Sequence, residues 1–478
     1  MNPLPTGQIH ETLSKPDLQL AIYTATGRLM DKRRNALAGV GGSDFETWRE
    51  QAHQLKKHTL ENLDYYLEQL ESNVKRQGGH VVWARDGSEA IEFLLKLARE
   101  KNARLVVKSK SMVTEEIDLR EHFAHHNLEV VETDLGEYII QLANERPYHI
   151  VAPALHMTRF QVADLFQEKL HVPREEVIEK QTMIARAVLR RKFLSADIGM
   201  TGANFLIADS GAAVVVENEG NARLSSTAPR ILVTVAGIEK LIPRAQDLGV
   251  FLKVLGRSAT GQPMTVYTSF LNGPRRPGEI DGPEEFYLIL LDNGRTRLLA
   301  DAEKRQSLYC IRCGACLNHC PVYRKIGGHN YPWIYSGPIG AIITPQFHGV
   351  GQDPWLPYAS SLCGACADVC PVKIDIPRIL LSLRAEVTRA KAREGSGRLE
   401  RLAFRIWAYV MRRPKLYELG GMLAAAAFPG GETGWLRRLP PPLNIGPLAA
   451  WASQRDLPPP APRSFRQLWR ERQARSRQ

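Results

Sequence analysis

The sequence predicts an α/β domain, then a small helical module built around cysteine loops, then a basic helical tail. Three observations carry that reading. Short β-branched runs alternate with amphipathic helical patterns from His80 to Asp292, and all seven cysteines fall between Cys310 and Cys370. The whole net charge of +12 lies after Leu383, where 19 basic residues face 7 acidic ones.

At 478 residues the chain exceeds one ordinary hydrophobic core, and a hydrophobic share of 44% with 24% charged residues is that of a globular protein. Arg33-Arg34 is followed by Asn-Ala-Leu rather than a long apolar stretch, the first residues lack a signal pattern, and no run of about 18 apolar residues occurs. The expected compartment is therefore the cytoplasm, where thiols stay reduced and clustered cysteines read as metal ligands.

Residues 1–74 read as an N-terminal helical segment. Ser43-Asp44-Phe45-Glu46 has capping-box spacing, and the pattern after it predicts one helix over 44–77, ended by a left-handed glycine in Gln77-Gly78-Gly79. The α/β domain spans 75–298. It predicts a strand at 80–84, a helix over 87–101 capped by Asp86, a strand at 104–108, a helix near 116–126, and strands at 128–133 and 148–153. Such alternation builds a largely parallel sheet covered by helices. Helical stretches over 160–194 lead to strands at 204–208, 212–217, 231–236, 265–271 and 286–292. The cysteine module occupies 299–392 and closes on a helix over 376–391. In the basic extension, 393–478, a helix over 399–412 places Leu399, Leu402, Ala403, Ile406, Tyr409 and Val410 on one face. Pro440-Pro441-Pro442 and Pro458-Pro459-Pro460 read as semi-rigid linkers.

The first cysteine run, Cys310-Ile-Arg-Cys313-Gly-Ala-Cys316-Leu-Asn-His-Cys320-Pro321, has the C-x2-C-x2-C-x3-C-P spacing of a two-cluster ferredoxin. Three thiolates at that spacing wrap one iron-sulfur cube, while the fourth ligates the other. The second run, Cys363-Gly-Ala-Cys366-Ala-Asp-Val-Cys370-Pro371, begins one cysteine late, with Ser360 where a further cysteine would complete the pattern. Crossed ligation assigns Cys310, Cys313, Cys316 and Cys370 to cluster one, and Cys320, Cys363 and Cys366 to cluster two. The second cluster then has three readings: a 4Fe-4S cube with a non-cysteine ligand from Ser360, Ser361, His319 or Asp368, a 3Fe-4S cluster, or a cube with an open iron. Zinc also binds C-x2-C pairs, but two zinc sites need eight ligands and leave the four-cysteine run unexplained. His329, His348, Trp333 and Trp355 in the insert between the runs are expected to pack over the clusters and exclude water. The length of that insert resembles the α-helical ferredoxin domain of respiratory iron-sulfur subunits.

Three further segments join these runs: Ala196-Asp197-Ile198-Gly199-Met200-Thr201-Gly202-Ala203-Asn204-Phe205, Val216-Glu217-Asn218-Glu219-Gly220-Asn221-Ala222-Arg223-Leu224, and Gly237-Ile238-Glu239-Lys240. Together they resemble the lactate utilization protein B family, iron-sulfur proteins with a LUD domain. The resemblance implies an isomerase/CoA-transferase-like fold for the α/β domain and two 4Fe-4S clusters on an α-helical ferredoxin domain. It further implies electron transfer in the oxidation of L-lactate to pyruvate, as one subunit of a complex rather than a stand-alone enzyme. The implied partners are a cysteine-rich heterodisulfide-reductase-like subunit and a smaller LUD-domain subunit, with a cytoplasmic or membrane-edge electron acceptor beyond them.

Three alternatives remain: the iron-sulfur subunit of another respiratory-type oxidoreductase, a LUD-domain enzyme with its own ligand pocket, or a binding or scaffold protein. For the enzyme, Glu217, Glu219, Asn221 and Arg223 follow a strand and either line a pocket or form a charged turn closing a hairpin. Gly199 to Asn204 is a glycine-rich turn able to offer amides to an anion. No G-x-G-x-x-G follows a predicted strand, which argues against a dinucleotide. The basic tail is either a solvated surface or a docking surface for an acidic partner or anionic membrane; nucleic acid is disfavoured because no basic-aromatic motif accompanies the charge.

Overall fold

The computed structural model describes residues 4–395, 397–427 and 463–476, with isolated positions between 435 and 461. Met1–Thr388 forms one compact unit and Arg389–Gln478 another. The strands of the larger unit are β1 (His80–Ala84), β2 (Leu105–Lys108), β3 (Glu129–Glu132), β4 (Ile198–Gly202), β5 (Phe205–Ile207), β6 (Ala212–Glu217), β7 (Ile231–Gly237), β8 (Leu241–Ile242), β9 (Tyr267–Leu271) and β10 (Glu285–Leu291).

Six of these pair in parallel, in the order β1-β10-β7-β4-β2-β3. The other four form a smaller mixed sheet, β8-β5-β6-β9. Every residue of β4 and β7 is buried, as a parallel sheet covered on both faces requires. On one face Ile91, Leu94 and Leu97 of the helix Gly87–Glu100 pack with Val106, Met200, Val233 and Ile289. The other face opens into a core that continues through the small sheet into the cysteine module, joining Leu70, Leu232 and Leu288 to Leu317, Tyr335, Ile342 and Leu380. The α/β domain and the cysteine loops thus share one apolar interior.

Asp86 caps its helix as predicted, accepting from the Glu89 amide at 3.0 Å, and Gly78 is left-handed at φ 85°. Five expectations are corrected. The helix expected over 44–77 is two, Gly42–Glu61 and Leu63–Arg76, broken at Asn62. Its start has no side-chain cap, because Gly41 rather than Ser43 takes the cap position. The helix expected over 116–126 divides into Met112–Glu116 and Leu119–Ala124, since Asp118 adopts a left-handed backbone. Residues 148–153 form no strand; they turn against the cysteine module, where the Tyr323 hydroxyl donates to the Tyr148 carbonyl at 2.8 Å. The glycine-rich turn at Gly199 to Asn204 is mostly the buried strand β4. There a Cβ on Gly199 would stand 1.8 Å from the Ser225 carbonyl oxygen, so glycine lets the helix Asn221–Thr227 lie directly on the sheet.

The smaller unit contains the helices Arg398–Met411, Pro414–Ala427 and Phe465–Arg475, the last opened by a capping box between Ser464 and Gln467. Arg398–Met411 contributes no buried side chain, and Leu399 is 84% exposed. Glu418 pairs with Arg470 and, at 3.8 Å, with Arg466. Of the predicted linkers, Pro440 to Pro442 and Pro459-Pro460 lie outside the described residues. Among the described residues no helix is long and apolar enough to cross a membrane.

Candidate iron-sulfur centre

The two cysteine runs fold into the same loop twice. Arg312 and Gly314 in the first are left-handed at φ 60° and 72°, and Leu362 and Gly364 in the second at 55° and 86°. Each loop then enters a short helix, Ala315–His319 or Ala365–Asp368. In the first loop the Arg312 amide donates to Cys310 Sγ at 3.4 Å; in the second the Leu362 amide donates to Ser360 Oγ at 3.1 Å. Ser360 therefore takes the place that Cys310 takes in the repeat. The loop exits match as well, with the Tyr323 amide reaching Cys320 Sγ at 3.5 Å and the Ile374 amide reaching Cys370 Sγ at 3.4 Å.

All seven thiols are free, and Cys313, Cys320, Cys366 and Cys370 are buried. Their mutual electrostatics reach from one run to the other. Burial first, and then Cys370, raises the proton affinity of Cys313; Cys316 is raised by burial and by Cys313, Cys310 and Cys370, with a smaller influence from Cys366. Cys320 feels Cys363, and Cys366 feels Cys320 and then Cys363, again after burial. Buried thiols so arranged are poor thiolates unless a cation compensates them, and bound iron supplies that compensation. The amides aimed at sulfur and the burial of the thiols fit such a group.

The N-terminal helices clasp the exit of the second run. From Pro16–Ala38, Arg33 donates to the Val369 carbonyl at 3.3 Å; from Gly42–Glu61, Arg49 donates to the Cys370 and Ala367 carbonyls at 3.0 and 3.3 Å, and His53 Nδ1 lies 2.9 Å from the Val372 carbonyl oxygen. Arg384 holds the Ser360 loop from the other side, donating to the Pro357 and Ser360 carbonyls at 3.0 Å each. No spacing signal marks these basic residues, because each serves a loop hundreds of positions away or on another element.

Of the other candidates, His319 engages the Ala315 carbonyl through Nδ1 at 2.9 Å, while Ser361 and Asp368 are exposed. Trp333 lies against His348 with tilted rings whose centroids are 4.3 Å apart, and Trp355 is half-buried. His329 instead joins Tyr148 and His156 of the α/β domain at ring distances of 4.7 and 5.0 Å. The Glu217 segment is no hairpin turn: its carboxylate accepts from the Ala222 and Arg223 amides at 2.8 and 2.9 Å and starts the helix Asn221–Thr227. Glu217, Glu219 and Asn221 line a cavity of about 390 Å³, whereas Arg223 lies over the Tyr267 ring at 4.8 Å.

Three family profiles match in series: a LUD domain over residues 67–291, a 4Fe-4S dicluster domain over 306–374, and the C-terminal region of lactate utilisation protein B over 383–474. The chain is 45% identical over 467 residues to lactate utilization protein B of Bacillus licheniformis, covering 97% of this chain and 96% of that one. The Bacillus subtilis protein of the same name is 45% identical over 459 residues, covering 96% and 94%. An Escherichia coli protein named as the uncharacterized electron transport protein YkgF is 42% identical over 475 residues, covering 98% and 97%. Near full-length similarity to relatives of one name, with all three profiles in order, establishes that the chain belongs to the lactate utilization protein B family.

Proposed function

We propose that this chain is the iron-sulfur electron-transfer subunit of a complex that oxidises L-lactate to pyruvate. Cys310, Cys313, Cys316 and Cys370 would hold one 4Fe-4S cluster, and Cys320, Cys363 and Cys366 the second, with Ser360 at its fourth corner. The observation that carries this is the loop that occurs twice, burying thiols of both runs and aiming amides at their sulfurs, supported by the names of the relatives. Such clusters supply one-electron transfer; the chain fixes the thiols, donates amides to sulfur and covers the loops with apolar side chains. Its partners would be the cysteine-rich heterodisulfide-reductase-like subunit and the smaller LUD-domain subunit. Anaerobically isolated protein should contain about eight irons per chain, or about seven if the second cluster is 3Fe-4S, with matching EPR signals on reduction. Stoichiometric zinc without visible absorption would overturn the assignment.

The basic extension is proposed as the docking surface of this subunit. Its charge acts at a range set by the Debye length, about 8 Å at physiological ionic strength, so binding to anionic phospholipid vesicles should weaken as salt rises. Truncation after Arg413 removes Lys415 and nine arginines while sparing both cysteine runs. Cosedimentation at low salt should fall in the truncated protein and its visible spectrum should not change; equal binding by both proteins at every salt concentration would argue for a merely solvated tail.

A further inference from the structure

The main sheet has a topological switch point that the cysteine module seals. From β2 the chain moves outward to β3, whereas from β4 it moves the other way to β7, and β2 and β4 are parallel neighbours. Connections that diverge in this way leave a crevice beyond the carboxyl ends of the two strands, where open α/β sheets bind ligands. Ser109 to Val113 follow β2, Gly202 ends β4 with Ala203 and Asn204 after it, and both segments line the cavity of about 390 Å³. That volume suits a small molecule.

Arg312, which lies between Cys310 and Cys313 in the first cysteine loop, also lines the cavity. Its side chain is 8% exposed and 3.5 Å from Glu239, yet its Nε and Nη1 are buried without a hydrogen-bond partner. Lys240, 7% exposed, lines the cavity too and feels the Arg312 charge. Lys110, whose charge Glu219 feels, has a buried ammonium with no hydrogen bond and only a 3.9 Å approach to Glu137. Buried cationic donors without acceptors are costly, and an anion relieves them. The cavity also holds carboxylates. Glu217 is engaged by the amides described above, and Asp134 accepts from the Glu137 amide at 3.1 Å. Glu219 accepts from the Leu135 amide at 3.3 Å.

We propose that this switch-point crevice binds a small 2-hydroxy or 2-oxo carboxylate, its carboxylate on Arg312 and Lys240 and its hydroxyl or oxo group toward Lys110, Glu219 and Asn204. Burial, with the neighbouring Asp134 carboxylate, raises the Glu219 carboxyl to about 7, so that near neutrality it offers both a donor and an acceptor. The choice of acid rests on the proposed role in lactate oxidation; the site itself rests on the cavity and its buried cations. A ligand here would touch the loop that carries two thiols of the first set.

The test is isothermal titration of anaerobically isolated full-length protein with L-lactate, pyruvate and inorganic phosphate, with EPR of the reduced clusters recorded in parallel. L-lactate or pyruvate should bind at one site per chain and shift the signal of one cluster. Lys240→Gln should weaken that binding by about tenfold or more, equivalent to about 1.4 kcal/mol. If Lys240→Gln does not fold by circular dichroism, Lys110→Gln carries the same expectation. Absence of binding at millimolar concentration, affinity unchanged in the folded variant, or tighter binding of phosphate than of either acid would overturn the proposal. Iron analysis separates the two readings: full iron without carboxylate binding sinks this site alone, whereas missing iron sinks the cluster assignment.

Discussion

Cys370→Ser is expected to abolish the EPR signal of the cluster held by Cys310, Cys313 and Cys316, although Cys370 lies in the other run. Burial and then Cys370 dominate the proton affinity of Cys313, and Cys370 itself feels Cys310 among its neighbours. Replacing its sulfur with a weaker, harder oxygen ligand should lose about four of eight irons, with the second signal retained. Cys320→Ser should do the converse and damage the set completed by Cys363 and Cys366. Ser360→Cys adds an informative third case. Because Ser360 takes the place of Cys310 in the repeated loop, a thiolate there should alter only the second signal. Should each serine substitution instead disturb the cluster of its own run, crossed ligation would be wrong.

Periodicity and spacing revealed the strands that alternate or carry β-branched runs, and the two cysteine loops with their Gly-Ala repeats. Ala212–Glu217 and His80–Ala84 were legible because local pattern and tertiary environment agree. Ile198–Gly202 was not. Its two glycines resemble a turn, and only the helix lying on Gly199 and Ser111 pressed against Gly202 explain why a strand should lack side chains there. Residues 148–153 failed in the opposite sense: an apolar run signals burial, and here burial comes from the cysteine module instead of a strand ladder. The candidate site divides in the same way. Its thiols are a local code, whereas Arg33, Arg49 and Arg312 acquire their roles only when distant segments meet, which no spacing encodes. Glu217 and Glu219 were visible as charges after a strand, but their cavity depends on a switch point set by strand order.

Arg295→Met is expected to destabilise the larger unit by about 3–5 kcal/mol, measured as urea unfolding at pH 7. Arg295 is fully buried between two carboxylates, with Nη2 2.7 Å from Glu116 and Nε 2.5 Å from Glu239. It also donates to the Asp292 carbonyl at 3.1 Å and lies over the Phe347 ring at 5.3 Å. The Tyr335 hydroxyl donates to Glu116, so the network ties the end of β7 and the helices Met112–Glu116 and Arg295–Leu299 to the insert between the cysteine runs. Burial alone would neutralise Glu239, but Arg295 and then Arg312 outweigh it and hold the carboxyl down at about 2. Because that folded value lies below the ordinary 4.5, this contribution is fully present above about pH 4.5 and is lost as pH falls toward 2. Methionine fills much of the volume yet leaves the buried Glu116 without its cation and Glu239 with only Arg312 at 3.5 Å, which is why the loss should exceed that of a packing change. Adding Glu116→Gln and Glu239→Gln to Arg295→Met should recover part of the stability, since the penalty lies in the orphaned charges. A loss below about 1 kcal/mol in the single variant would show that the network is solvated rather than sealed.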